Sequence, residues 1–296
     1  MDTLAKALIS RASGQSKLRV DDVVICEVDL AMIHDSGGPR RVKPILDRLQ
    51  RQVWDKDKIV VVTDHYVPAD NAETQAIQAL TKQWVQDQSI DKFYDEQGIC
   101  HVVLPERGHL APGLFCVGGD SHSPTGGAFG AYMFGIGATE MAGVLATGEI
   151  WIKVPETILM SWRNQLSAYV TAKDMMLAMC RKIGMGGGRY QAIQYAGQTI
   201  QALSMQERMT LSNMAAELGA QAGLIAPDEA TVAFVQAAGG TVPANWRDFQ
   251  IEAAESAENV MQFDAASLEP QIAAPHSPEN ADAADAFRNI SFDVAY

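Results

Sequence analysis

The stretch Leu114–His122, LFCVGGDSH, decides how the rest of the chain is read. An apolar run passes through two glycines straight into an Asp-Ser-His triplet. An earlier stretch, Lys58–His65 (KIVVVTDH), has the same build and ends in Asp64-His65. Apolar, β-branched runs bounded by turn residues read as strands. In a parallel α/β sheet the carboxyl ends of the strands form the crevice where ligands bind. Two Asp/His clusters at two such ends therefore point into one cleft.

Further strand-like runs stand at Val23–Val28, Ile99–Leu104 and Ile158–Trp162, with helix-like segments at Lys43–Trp54 and Asn71–Gln86. This alternation predicts an α/β fold with mainly parallel sheets flanked by helices. After Val154-Pro155 a second set begins. Ala172–Ile183 reads as helix, Gln191–Tyr195 as strand, Ser204–Leu218 as helix and Leu224–Ile225 as a short strand. The expected organisation is a first domain over residues 1–157, a second over 158–265, and a connection over 266–296 that opens a third domain. Within that plan the Ala-, Glu-, Asp- and Pro-rich stretch Glu252–Asp285 reads as a surface connection. The final NISFDVAY, Asn289–Tyr296, reads as a strand just begun.

Composition narrows the function classes. The net charge is −13 over 296 residues. Such a surface repels phosphate backbones, so nucleic acid is not an expected partner. It would repel a carboxylic acid too, so a site for one needs local positive charge. No apolar run approaches the roughly 18 residues of a membrane helix. The N-terminal MDTLAKALISRASGQ reads as an amphipathic helix and lacks the parts of a signal peptide, which makes the cytoplasm the expected location. The four cysteines, Cys26, Cys100, Cys116 and Cys180, show no C-x-x-C spacing and read as small buried hydrophobes.

Of six histidines, five lie at or before position 122. An imidazole beside a carboxylate has a fixed tautomer and a raised basicity, which suits proton transfer. Removing water from a β-hydroxy acid needs a base for the proton next to the carboxylate and an acid or a metal for the departing hydroxyl. Asp64-His65 and Asp120-Ser121-His122 suit the acid side. His34, His109 and His276 taken singly read as structural, although His34-Asp35 also follows an apolar run. Two other classes stay open: a zinc site built on His65, His101 and His122, and a non-catalytic module that binds a dicarboxylate. The glycines at 118, 119, 126, 127, 130, 135 and 137 allow close backbone approach. The run Gly184–Gly188 fits no phosphate-binding pattern and reads as a turn.

The run GGDSHSPTGGAFGAYMFGIGATE (Gly118–Glu140) resembles the signature of the aconitase and isopropylmalate dehydratase family. VDLAMIHDSGGP (Val28–Pro39), VTDHYVPAD (Val62–Asp70), GICHVVLPERG (Gly98–Gly108, taken as a histidine strand) and LSNMAAELGAQAGLIAPDEAT (Leu211–Thr231) resemble further family segments in the expected order. The likeness spans the chain and is nearer to the dehydratase branch than to one-chain aconitases. It implies a hydro-lyase acting on a small hydroxy di- or tricarboxylic acid, of the 3-isopropylmalate type. It implies three pairs, His65 with Asp64, His101 with Asp120, and His122 with Glu217. His65 would protonate the leaving hydroxyl, while His101 and His122 would orient substrate and water. Ser121 would hold a substrate carboxylate, and Asn213 would help place the cofactor or its ligand. The family's first-turn glutamine has no counterpart: Pro39 stands there, followed by Arg40, and neither receives a role.

The resemblance also implies a [4Fe–4S] cluster in the complete enzyme, with cysteine ligands that fall outside this chain, so no metal ligand is expected within it. The partners it implies are a small subunit with a swivelling domain and a chain or segment carrying the third domain. The chain is then expected to be an N-terminal part or split half of a large subunit, inactive alone, or else a cluster-free relative.

Overall fold

The computed structural model describes residues 3–252, 259–291 and 293–294. Helix α1 (Leu4–Ser13) starts on the Thr3 hydroxyl, which accepts the Lys6 N–H, and ends at Gly14 with φ 68°. Its buried face is Leu4, Ala5, Leu8, Ile9 and Ala12, the spacing of one helical stripe.

The first sheet holds the candidate residues. Its strands are β2 (Leu30–His34), β3 (Ile59–Thr63), β4 (Phe93–Asp95), β5 (Phe115–Gly118) and β6 (Tyr132–Gly135). They lie in the order β4-β3-β2-β5-β6 and every neighbouring pair is parallel. β2 and β3 are buried at every position, as expected of strands covered on both faces. The covering helices are α2 (Pro39–Leu49), α3 (Ala72–Asp87), α4 (Cys100–Glu106) and α5 (Ala138–Thr147). Asn71 caps α3 by accepting the N–H groups of Glu73 and Thr74.

The expected strand Val23–Val28 forms as β1 (Val23–Glu27), but outside this sheet. It pairs antiparallel with β7 (Glu149–Lys153) in a two-stranded ribbon. Both strands alternate exposed and buried residues, the pattern of a ribbon with one wet face.

The second sheet is also parallel. It contains β8 (Thr157–Arg163), β9 (Ala192–Ala196), β10 (Ala222–Ile225) and β11 (Val260–Asp264), in the order β10-β9-β8-β11. Helices α6 (Ala172–Ile183), α7 (Gln198–Ala202), α8 (Met205–Asn213) and α9 (Glu229–Ala237) accompany it. A short antiparallel ribbon, β12 (Gln271–Ala273) with β13 (Ala281–Ala283), follows. Gly184 ends α6 with φ 76°, and Gly187 N–H returns to the Gly184 carbonyl, so the Gly184–Gly188 run is a turn.

Four expectations need correction. Ile99–Leu104 is not a strand but the body of α4. Its β-branched residues mislead; Cys100, Val103 and Leu104 are buried while Ile99 and Val102 are exposed, which is helical periodicity. The helix expected at Lys43–Trp54 begins earlier, because Pro39 takes its first turn, where its missing N–H costs nothing. The helix expected at Ser204–Leu218 stops at Asn213 and continues as turns. Glu252–Asp285 is more than a surface connection, since β11 is a full strand of the second sheet. Residues 292, 295 and 296 of the expected terminal strand lie outside the described residues, and those described around them form no strand.

Candidate functional site

Three adjacent strands deliver the site. β2, β3 and β5 end at His34-Asp35, Asp64-His65 and Gly119-Asp120-Ser121-His122. Because the strands are neighbours and parallel, their carboxyl ends lie side by side at one edge of the sheet.

Asp64 does two jobs. Its Oδ1 lies 2.7 Å from His65 Nδ1. A carboxylate only accepts, so Nδ1 carries the proton donated there. Its Oδ2 accepts the Cys100 N–H at 2.6 Å, which fastens the start of α4 to the end of β3 and carries His101 to the site.

Asp120 is the hub. Its Oδ1 accepts from His101 Nε2 at 2.6 Å and from the His122 N–H at 2.7 Å. Its Oδ2 faces His65 Nε2 at 3.8 Å. His122 Nε2 in turn lies 3.4 Å from Glu217 Oε1 in the turn after α8. Ser121 Oγ sits 3.2 Å from His122 Nδ1 and is exposed. Asn213 donates from Nδ2 to Thr125 Oγ1 at 2.9 Å, so it faces the loop after His122. The three histidine–carboxylate pairs thus come within reach of one another, with Ser121 and Asn213 at the margins.

Charge is organised accordingly. Asp120 and Asp64 would both be raised by burial. The imidazoles of His101, His122 and His65 outweigh burial at Asp120 and hold it well below the usual carboxylate range. His65 and the Cys100 N–H do the same for Asp64. Asp120 and Asp64 push His65 up to about 10 against some loss of solvation. Asp120, helped by Glu217, also raises His122. The site is a set of anchored carboxylates around protonated imidazole.

His34 and Asp35 belong to this structure as well, although His34 taken singly reads as structural. Asp35 is fully buried and accepts the N–H groups of His65 at 3.1 Å and Tyr66 at 3.0 Å. His34 stacks on His65, with centroids 4.0 Å apart and planes 14° from parallel. The available signal was the repetition of an Asp/His ending on a third apolar run. Arg40, on the first turn of α2, donates to the Ser36 carbonyl at 2.9 Å and to the Tyr66 hydroxyl at 3.1 Å. His109 lies elsewhere, 2.6 Å from the Tyr94 hydroxyl.

Metal readings fit poorly. His34, Asp35, Asp64 and His65 offer ligand-type atoms within 4.8 Å of one another. The nearly parallel rings of His34 and His65 run their in-plane lone pairs side by side, whereas zinc needs nitrogens converging at about 2.0–2.1 Å. Both oxygens of Asp35 already accept backbone N–H groups. The zinc set His65, His101 and His122 does not assemble either: among the described residues the converging group contains neither His101 nor His122.

Two cavities flank the hub. One of about 390 Å³ is lined by Asp120, Ser121, Pro124, Ile136, Tyr190 and Ala220 among others. The other, about 360 Å³, is lined by His101, Thr125, Met209 and Asn213 among others. Both suit a small molecule.

The sequence profile described as "Aconitase family (aconitate hydratase)" matches residues 6–293. The chain belongs to the aconitase family. It is 41% identical to the "Probable 3-isopropylmalate dehydratase large subunit" of Methanothermobacter thermautotrophicus, over 94% of this chain and 66% of that protein. It is 40% identical to "3-isopropylmalate dehydratase large subunit 1" of Methanopyrus kandleri, over 99% and 70% respectively. A "Probable methanogen homoaconitase large subunit" of Methanosarcina mazei is 41% identical over 87% of this chain and 65% of its own length. The chain therefore spans about two thirds of the length of these relatives. A crystal structure of Thermococcus kodakaraensis aconitase X gives a TM-score of 0.43 at 9% identity, covering 90% of this chain and 67% of that one.

The aconitase family implies a [4Fe–4S] cluster in general. The four cysteines here do not fit one. All are buried, and they sit in three separate cores, Cys26 in one, Cys100 and Cys116 in a second, Cys180 in a third. Burial pushes their thiols up, to about 12 for Cys26 and about 11 for Cys180. Metals are bound by the thiolate, so this burial opposes ligation. Among the described residues no helix is long and apolar enough to cross a membrane.

Proposed function

We propose that this chain is the N-terminal part of the large, catalytic subunit of a hydro-lyase, acting on 3-isopropylmalate or a close analogue as in leucine biosynthesis. The arrangement that carries this reading is His65 clamped by Asp64 on Nδ1 while Nε2 faces Asp120. An imidazolium so held is a general acid that keeps its proton at neutral pH. In dehydration the substrate loses a proton from the carbon beside its carboxylate. The neighbouring carbon–oxygen bond breaks, its electrons leave with the hydroxyl, and His65 Nε2 protonates that hydroxyl to give water and an alkene. His101 and His122, both tied to Asp120, orient the hydroxyl and the water. Ser121 takes a substrate carboxylate, and Asn213 supports the loop through Thr125.

The base, any cluster with its cysteine ligands, and further cationic groups belong to a chain or segment carrying the third domain and to a small subunit with a swivelling domain. The division of this chain near residue 157, a cytoplasmic location and the lack of nucleic-acid or membrane partners are parts of the same reading.

The homoaconitase-type relative offers a second substrate class, a tricarboxylate. The cavity beside Ser121 favours the first. Its lining contains Pro124, Ile136, Ala216 and Ala220, and neither lysine nor arginine. Those apolar side chains accommodate an alkyl arm.

The test is reconstitution. The chain alone should show no turnover. Combined with its small subunit and the cysteine-bearing segment under anaerobic conditions, it should interconvert 2- and 3-isopropylmalate, and His65→Ala should abolish that. Turnover by the isolated chain, or full activity in the His65→Ala assembly, would overturn the reading.

A further inference from the structure

Three groups of residues meet at His65, and the proposed function uses only two of them. Asp64 fixes Nδ1 and Asp120 faces Nε2. The third contact covers the flat face of the ring. There His34 lies against it, 4.0 Å between centroids and 14° from parallel.

His34 is itself held tightly. It is 3% exposed. Its Nε2 lies 2.9 Å from the Gly119 carbonyl, which can only accept, so Nε2 carries the hydrogen and Nδ1 is a bare lone pair. That Nδ1 is buried with no partner. The neighbours leave the ring little room. A Cβ on Gly37 would stand 3.3 Å from His34 Cε1 and 3.4 Å from the Gly119 oxygen. Filling space at this strand end would need no imidazole; an apolar side chain would do so without an unpaired nitrogen. The hydrogen bond to Gly119 also has a consequence for the site. Gly119 immediately precedes Asp120, so one ring braces both the His65 face and the strand end that carries the hub carboxylate.

We propose that His34 is a positioning residue for the acid His65: pinned to Gly119, its ring is the wall that sets the plane of His65 so that Nδ1 meets Asp64 while Nε2 faces Asp120. This rests on the functional reading above for its meaning, though not for its test. His34 stays neutral because burial and the neighbouring His65 both disfavour its protonation. The groups facing His65 are then Asp64 from the end of β3, Asp35 and His34 from the end of β2, and Asp120 from the end of β5.

The experiment compares His34→Ala, which removes both ring and hydrogen bond, with His34→Phe, which keeps a stacked ring and drops the bond. The first readout is the His65 titration, followed by nitrogen–proton NMR in the chain, with thermal melting to establish folding. The second is kcat and KM in the reconstituted enzyme. His34→Ala should shift the His65 titration downward by at least about one unit, and should lower kcat about 10- to 100-fold with KM changed less than about threefold. His34→Phe should restore most of the His65 titration and much of kcat. Should His34→Ala fail to fold, His34→Phe decides alone: a His65 titration less than about one unit below that of the unaltered chain supports the proposal and a larger drop overturns it. A folded His34→Ala chain with an unchanged His65 titration also overturns it. Because the titration needs no turnover, failure of the hydro-lyase reading would show in the assay alone.

Discussion

His122 and Glu217 stand 95 positions apart, yet His122 Nε2 lies 3.4 Å from Glu217 Oε1. The contact joins the strand end of the first sheet to the turn after α8 beside the second. Backbone closeness makes it possible: a Cβ on Gly127 would stand 1.9 Å from the Gly223 carbonyl of β10. The site is thus assembled from both sheets, and its geometry depends on how closely their loops pack.

Glu217→Gln tests that link. Asp120 is the larger influence on His122, so the variant should lower the His122 titration without returning it to an ordinary value. Both side chains are about one-third exposed, at 35% and 31%. The stability cost should therefore stay within about 1 kcal/mol. In the reconstituted enzyme kcat/KM should fall about tenfold, less than the roughly 100-fold or more that losing a general acid or base outright costs. NMR titration of His122 and a thermal melt read both parts; a collapse in melting temperature would recast Glu217 as mainly structural.

Asp64→Asn addresses the acid directly. His65 is raised to about 10, so dehydration should persist to alkaline pH and decline as His65 deprotonates near that value. Removing the Asp64 charge should move this limb down by about 1–3 units, the usual effect of one adjacent opposite charge. The sign carries over to stability. A raised histidine contributes fully below its unfolded value of 6.5, and the contribution is lost as pH rises toward about 10. The variant should flatten that alkaline loss in urea-melt series; an unmoved limb would remove Asp64 from its assigned part.

Packing at the sheet junction gives a third expectation. Gly127→Ala drives a methyl group into the Gly223 carbonyl, a backbone atom that cannot swing away. A destabilisation of about 3 kcal/mol follows, at the upper end for overpacking. Gly143→Ala is the matched control: inside α5, with nothing within 4 Å of the new carbon, it should be stabilising by up to about 1 kcal/mol. Equal melting temperatures for the two variants would contradict the close approach of these loops.

Much of this was legible because buried parallel strands write themselves as apolar runs. Ile59–Thr63 and Phe115–Gly118 stand where the sequence placed them, and their Asp/His endings mark the cleft. What misled was local. CHVVLP has the composition of a strand, but a hydrogen bond from the Cys100 N–H to Asp64 starts a helix there, a contact between residues 36 positions apart. β6 was missed because its YMFG is enclosed by glycines, which read as loop. His34 was undervalued because a single sequence cannot show that a ring at one strand end lies against a ring at the next.

His109 supplies a prediction away from the site. It is half-buried, and its Nε2 lies 2.6 Å from the Tyr94 hydroxyl. Burial, then Lys92 and Arg107, lower its proton affinity from 6.5 to about 4. The folded chain refuses a proton that the unfolded chain accepts. Stability should therefore fall as pH drops from about 6.5 to about 4 and level off below, by the linkage between proton uptake and folding. Partial exposure limits the loss to about 2 kcal/mol. His109→Gln keeps a hydrogen-bonding partner for Tyr94 and removes the titration, so its urea midpoint should change less between pH 7 and pH 5 than that of the unaltered chain. Asp64 and Asp120 also titrate on the acid side, but both are held below the usual carboxylate range and are lost only at lower pH. His34, also held neutral by burial, loses stability in the same interval, so the His109 share is the difference between the variant and the unaltered chain, and an identical acid slope in the two would show that the buried His109 already carries its proton in the fold.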